Sequence, residues 1–338
     1  MNNFLKIVLL FILGISITSC TKDKSTVEPL REYAAQYATD LANIETFMQT
    51  HYMTVANSPG NTEDMDVTYT LITDPGTQTS IWNQTTYPIQ TRLVTVKQDN
   101  ADITYKLYYL KLREGSGTTS KSPCNVDRVL TSYRGEYIFP SVETVASADV
   151  TTIKGFEFEE SINPETFFTL TSVIRGWSEI FPQFKTGTYT GNLDGTVSYD
   201  NFGAGVMFIP SGLAYFGLAR SGIPAYSPLI FNFKLYEIQR VDNDGDGIDS
   251  YLEDIGSIDN PSTPDGYVVT LPTGVLNPDD TDGDGIPNFL DVDDDNDFFT
   301  TASEIKDPIT GIAYPFATIP TCGGTGNGKK KHLDPSCH

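Results

Sequence analysis

Basic residues are scarce in this 338-residue chain: 22 Lys and Arg stand against 44 Asp and Glu, a formal charge of −22. DNA and RNA would be repelled, so no nucleic acid is expected as a partner. Histidine is scarcer still, with His51, His332 and His338, none of them between residues 104 and 240. The middle of the chain therefore lacks the imidazole that a Ser-His or Cys-His nucleophile pair requires. There are four cysteines, and past Ile15 no apolar run approaches the ~18 residues of a permanent membrane span. What is present is enough for a core, because 39% hydrophobic and 12% aromatic residues exclude a wholly disordered chain. At roughly 100 to 200 residues per domain, the length predicts two or three domains.

Lys6 precedes the apolar run Ile7 to Ile15 and small residues follow, the pattern of an export signal over residues 1–19. It ends in Ile17-Thr18-Ser19-Cys20, which resembles a bacterial lipobox. The resemblance implies cleavage before Cys20, acylation of that thiol, and a lipid-anchored protein of the bacterial cell envelope, on its periplasmic face or at the cell surface. The other reading is an ordinary secretory signal with an incidental cysteine. In an oxidising envelope Cys322 and Cys337 can close a disulfide across the C-terminal tail, residues 311–338, which leaves Cys124 as a semi-buried thiol.

In residues 20–103, Leu30, Ala34, Tyr37, Leu41, Ile44, Phe47 and Met48 recur every three or four positions and predict an amphipathic helix. Its apolar face can pack on the strands that follow, Val67 to Thr73 and Thr91 to Lys97, or on a twin copy as a homodimer. From Thr104 onward, strands are predicted at 105–112, 127–135, 205–209 and 229–238. A short helix after Trp177 is curtailed by Pro182. The fold class is α+β.

Five segments follow in a fixed order: Ser132-Tyr133-Arg134-Gly135, Phe158-Glu159-Glu160-Ser161, Val173-Ile174-Arg175-Gly176-Trp177, Pro210 to Tyr215, and Ile223-Pro224 leading to Leu229–Leu235. With the opening strand and turn at Leu112 to Gly117, they resemble the FK506-binding-protein (FKBP) type peptidyl-prolyl isomerases over residues 104–240. The resemblance implies an antiparallel sheet curved around one short helix, with a small helix-plus-strands region before it. It implies that Trp177 is the platform under a proline ring, walled by Tyr133, Phe158, Phe168, Val173, Ile174 and Phe231. The Ile174 backbone N–H and the Tyr215 hydroxyl would donate to the bound peptide's carbonyls, and Ile223 would sit on the rim. Glu159 stands where the family has Asp, one methylene longer. Proline-containing exported polypeptides would be the partners.

Such a site needs greasy walls rather than a nucleophile. An X-Pro bond isomerises over a barrier of ~18–20 kcal/mol because amide resonance is lost as it twists. The twisted amide is less polar than the planar one, so a dry apolar pocket favours it. Phe216 intrudes between Tyr215 and Gly217, and two insertions, Glu136 to Gly155 and Thr188 to Ala204, border the pocket, where they either grip a substrate or block the entrance. A blocked pocket would make this a non-catalytic, calcium-stiffened surface lipoprotein that uses the domain for peptide binding or as scaffold.

Residues 241–310 hold nineteen Asp or Glu and one basic residue, Lys306. Asp242, Asp244, Asp246, Asp249 and Glu253 fit the calcium-loop template D-x-D-x-D-G-x5-E, whose Gly turns the backbone sharply so that alternate carboxylates converge. Asp280, Asp282, Asp284, Asn288 and Asp291 repeat it. A third copy, Asp293, Asp295, Asp297 and Glu304, carries Phe298 where the Gly belongs. No full helix fits between Asp291 and Asp293, so the block resembles thrombospondin type 3 calcium repeats, which implies an irregular spacer with calcium as a structural ion and no cofactor for catalysis.

Overall fold

The computed structural model describes residues 29–98, 101–145, 148–220, 222–257, 263–271, 275–322 and 328–337. The export signal and Cys20 lie outside the described residues. Glu32–His338 forms one compact unit. Within it, α1 (Tyr33–Thr50) leads into β1 (His51–Val55), which pairs antiparallel with β2 (Val67–Leu71). The main sheet is built from β3 (Ile89–Gln98), β4 (Ala101–Arg113), β5 (Arg128–Val145), β6 (Ala148–Ser161) and the short β7 (Phe168–Thr169). The helix α2 (Arg175–Ile180) and the hairpin β8 (Thr188–Gly191) and β9 (Val197–Asp200) follow, then β10 (Gly203–Ile209) and β11 (Leu229–Gln239). The strand order is β3-β4-β10-β11-β5-β6, all antiparallel, with β7 paired to β5. The fold is α+β, as the sequence indicates, but the sheet starts at Ile89 rather than near 104, because β3 and β4 form one hairpin.

Side chains alternate between the two faces of each strand, and here both faces are covered. On one face Tyr105, Leu107 and Tyr109 join Trp177, Ile180, Phe181 and Phe184 in a core under α2. On the other, Tyr108, Leu110 and Leu112 meet Ile44, Phe47 and Met48 of α1. Burial on both sides explains why β10 is buried along its whole length. The apolar face of α1, open in the sequence to strands or a twin copy, is buried on the chain's own sheet.

The strand read as ending at Gly135 continues to Val145. A Cβ at Gly135 would lie 2.5 Å from Phe158 Cζ and 2.9 Å from Phe231 Cε1, so this Gly makes room for two rings rather than a turn. The insertion from Glu136 to Gly155 is the outer part of the β5–β6 hairpin, and the second insertion is the β8–β9 hairpin.

Beyond β11 the chain is irregular, with short turns at Ser250–Glu253 and Asn288–Leu290 and one turn of helix, α3 (Thr301–Glu304). Arg240 anchors its start: it pairs with the fully buried Asp127 and lies 3.8 Å over the Tyr251 ring. Asn125 exchanges two 2.9 Å hydrogen bonds with the Val268 backbone, and the Tyr267 hydroxyl donates to the Glu179 carbonyl in α2 at 2.7 Å. Cys322 and Cys337 are joined, with Cα atoms 5.8 Å apart, while Cys124 is free and buried, its thiol pushed up to about 12 by burial. No helix among the described residues is long and apolar enough to cross a membrane.

Candidate active site and candidate metal centre

Trp177 sits in α2, and α2 approaches the sheet closely because Gly176 has no side chain. A Cβ there would lie 2.6 Å from Ile209 in β10. Four rings meet the indole edge-on: Tyr133 at 5.1 Å, Phe231 at 5.2 Å, Phe181 at 5.3 Å and Phe168 at 5.5 Å between centroids. Phe158 adds a T-shaped contact to Phe231 at 5.8 Å. It reaches that position because β5 and β6 slip register between Gly135 and Glu136, which leaves Phe158 without a paired partner, the geometry of a β-bulge.

Above the indole lies a cavity of ≈ 530 Å³, bordered by Tyr133, Phe158, Glu159, Phe168, Val173, Ile174, Trp177, Tyr215 and Phe231. Nine of the ten residues expected at a prolyl site therefore share one cavity. The tenth, Ile223, lines an adjoining cleft with Phe158, Glu159, Tyr215 and Arg220. No described residue of either insertion lines the cavity. Phe216 also stays out of it: its backbone takes a left-handed turn, φ 48°, and its ring stacks on Tyr33 of α1 at 3.8 Å. Burial first, then the neighbouring Glu159 carboxylate, raises the Tyr133 hydroxyl's pKa. Ile174 is the residue before the first turn of α2, with φ −60° and ψ 142°.

The sequence missed how the Tyr215 segment is held. Asp40, fully buried on α1, accepts from the Ser211 backbone N–H at 2.7 Å and from the Ser211 hydroxyl at 2.6 Å. A carboxylate on an apolar helix face was the available signal. Truncation as Asp40→Ala takes the acceptor from both Ser211 donors and from the buried Gln36 amide, and is expected to cost about 2 to 4 kcal/mol of stability, measurable by urea unfolding. Unchanged stability would mean that the contact does not hold the segment. The cavity also takes in Ser172, Arg175, Ala214 and Arg220, neighbours of predicted residues that no pattern singled out.

The three acidic loops adopt one geometry. The first Asp of each accepts from the backbone N–H five residues on: Gly247 to Asp242 at 3.0 Å, Gly285 to Asp280 at 3.0 Å and Phe298 to Asp293 at 3.1 Å. Those three donors have φ 100°, 97° and 75°. The third loop, despite lacking its Gly, is thus wound like the others, with Phe298 held in a left-handed conformation that disfavours a side chain. Because Phe298 is 91% exposed, its ring contributes little packing. Phe298→Gly is expected to raise stability by about 1 kcal/mol in thermal unfolding, and destabilisation would contradict the strain.

Converging carboxylates form the groups Asp242-Asp244-Asp246, Asp280-Asp282-Asp284 and Asp293-Asp295-Asp297. Asp249 and Asp291 stand outside them. Asn288 uses its side-chain amide within its own loop, accepting from the Thr281 N–H and donating to the Thr281 hydroxyl, both at 2.9 Å. Glu253 and Glu304 are 3% and 2% exposed, and neither has a hydrogen-bond donor on either oxygen. Burial first, then neighbouring carboxylates, lifts Glu253 to about 10 and Glu304 to about 8. Glu253 converges with other carboxylates and Glu304 does not; orphaned buried oxygens of the first kind fit calcium better than Mg²⁺, which keeps its waters.

A family model described as BamM C-terminal matches residues 243–329. Among solved structures, the chain is similar to a peptidyl-prolyl cis-trans isomerase from Pseudomonas syringae pv. tomato str. DC3000, with 22% identity, a TM-score of 0.27, and coverage of 43% of this chain and 81% of that one. It is also similar to FkpA from Escherichia coli, with 24% identity, a TM-score of 0.27, and 43% of this chain and 51% of that chain covered. No curated protein matches.

Proposed function

We propose that residues 104–240 are an FKBP-type peptidyl-prolyl isomerase acting on exported proteins in the bacterial cell envelope, tethered through a lipid on Cys20. The acidic C-terminal region is read as a calcium-bound, structural element. The observation that carries the isomerase reading is the ≈ 530 Å³ cavity lined by Trp177, which neither Phe216 nor any described residue of the insertions fills. A pyrrolidine lying on the indole between the Tyr133, Phe158 and Phe231 rings would leave its preceding amide in a water-poor space. That environment disfavours the charge-separated planar amide and lowers the barrier to twisting. The Ile174 N–H and Tyr215 hydroxyl would fix the flanking carbonyls, and Glu159 would orient the Tyr133 hydroxyl.

The test is cis-to-trans relaxation of a short X-Pro peptide followed without a coupling protease. The reading expects acceleration proportional to enzyme concentration. No acceleration, with saturable binding of the same peptide, would replace it with the non-catalytic peptide-binding reading.

A further inference from the structure

The second position of each acidic loop carries Asn243, Thr281 or Asp294, and the ninth carries Ser250, Asn288 or Thr301. In all three loops the second residue's N–H donates to the ninth side chain, at 3.0, 2.9 and 3.3 Å respectively. In the first two loops the side chains also pair, Asn243 Nδ2 to Ser250 Oγ and Asn288 Nδ2 to Thr281 Oγ1, each at 2.9 Å. The third loop alone has a carboxylate at the second position. Asp294 is 1% exposed, and neither of its oxygens has a donor at hydrogen-bonding distance.

Asp294 does not converge with its own loop's Asp293, Asp295 and Asp297. Its carboxylate lies instead within 4.8 Å of those of Asp246 and Glu253, which belong to the first loop. Glu253 is 3% exposed with both oxygens unpartnered, and Asp244 and Asp246 each turn one unpartnered oxygen, Oδ2, inward. Five buried carboxylate oxygens without donors thus come from Asp246, Glu253 and Asp294, the kind of ligand that calcium gathers in a shell of roughly 6 to 8.

We infer that Asp294 is a ligand of the first loop's cation, so that one divalent oxygen-seeking ion held by Asp246, Glu253 and Asp294 bolts the third loop onto the first. This rests on the reading that the acidic loops bind cations, and it adds to that reading a joint between loops more than forty positions apart. The ion closes a ring of chain rather than filling a local cage, so its loss would free the third loop as a body.

The test is calcium titration by calorimetry on the full chain, with hydrogen exchange read at residues 293–304. Asp294→Asn, nearly isosteric, is compared with Asp307→Asn, which removes the same charge from an exposed turn of the same region. Asp294→Asn is expected to weaken one class of calcium site at least tenfold and to raise exchange across the third loop at limiting calcium. Asp307→Asn should behave as wild type. If wild type takes up no calcium, both this inference and the cation reading fall. If wild type binds and Asp294→Asn binds identically, only this inference falls. In chelator the variant has lost a buried carboxyl that has no hydrogen-bond donor and should unfold no earlier than wild type. Earlier unfolding there would mean that Asp294 supports the fold directly, which also overturns the inference.

Discussion

Transfer of the protein from millimolar calcium into chelator is expected to unfold the region beyond β11 while the sheet and its pocket stay folded. That region has only a small apolar core of its own. Among the described residues its buried apolar clusters are small, one of Cys124, Val126, Val268 and Phe289 and one of Ile248, Ile305 and Ile319, against the extensive cores on both faces of the sheet. Cation binding would supply the difference, with each site adding ~4 kcal/mol at a free concentration about 1,000 times its Kd. Calorimetry should show one transition in calcium and two in chelator, the new one at lower temperature. A single, unmoved transition would remove the cations from the account.

The pH dependence in chelator has a defined sign. Without a cation, Glu253 is lifted to about 10 and Asp294 to about 9, each first by burial and then by the charges of neighbouring carboxylates such as Asp246. A carboxyl whose folded pKa lies above its unfolded value contributes its full stability below the unfolded value, near ~4, and loses it as pH rises towards the folded one. The low-temperature transition should therefore fall further as the buffer moves from pH 5 to pH 8. Calcium, which favours the ionised carboxylates, should abolish that fall, and its affinity should weaken on acidification.

The second large effect concerns the indole. Trp177→Ala opens the floor of the cup, removes edge contacts to four rings, and is expected to lower kcat/KM for an X-Pro peptide by about 100-fold. Because Trp177 is buried, the same change costs about 3 to 5 kcal/mol of stability, so lost activity alone would be ambiguous. Trp177→Phe resolves this. It keeps an apolar ring and most of the packing, and is expected to retain a folded protein with activity reduced roughly tenfold. Full activity in a folded Trp177→Ala variant would show that the platform lies elsewhere.

The cavity's lining was legible because its residues fall in short, ordered segments, which the fold brings together around Trp177. Gly135 shows how local reading misleads: in sequence it resembled a strand end, whereas in space it yields room to Phe158 and Phe231. Asp40 was illegible for a different reason, since its partner Ser211 lies 171 positions away and only the packing of α1 on the sheet brings the two together. Phe298 weakened the third acidic loop on paper because the template's Gly is a conformational requirement. The structure meets that requirement with a strained Phe at φ 75°. Asp294 matched no template position, and its role depends on how one loop leans on another.

Intermolecular nuclear Overhauser effects between an isotope-labelled X-Pro peptide and the protein would show where the proline ring lies. Contacts are expected from the pyrrolidine γ and δ protons to the Trp177 indole and the Phe231 ring, together with cis–trans exchange cross-peaks that appear only when protein is present. Exchange catalysed without any contact to Trp177, or pyrrolidine contacts confined to another surface, would contradict that placement.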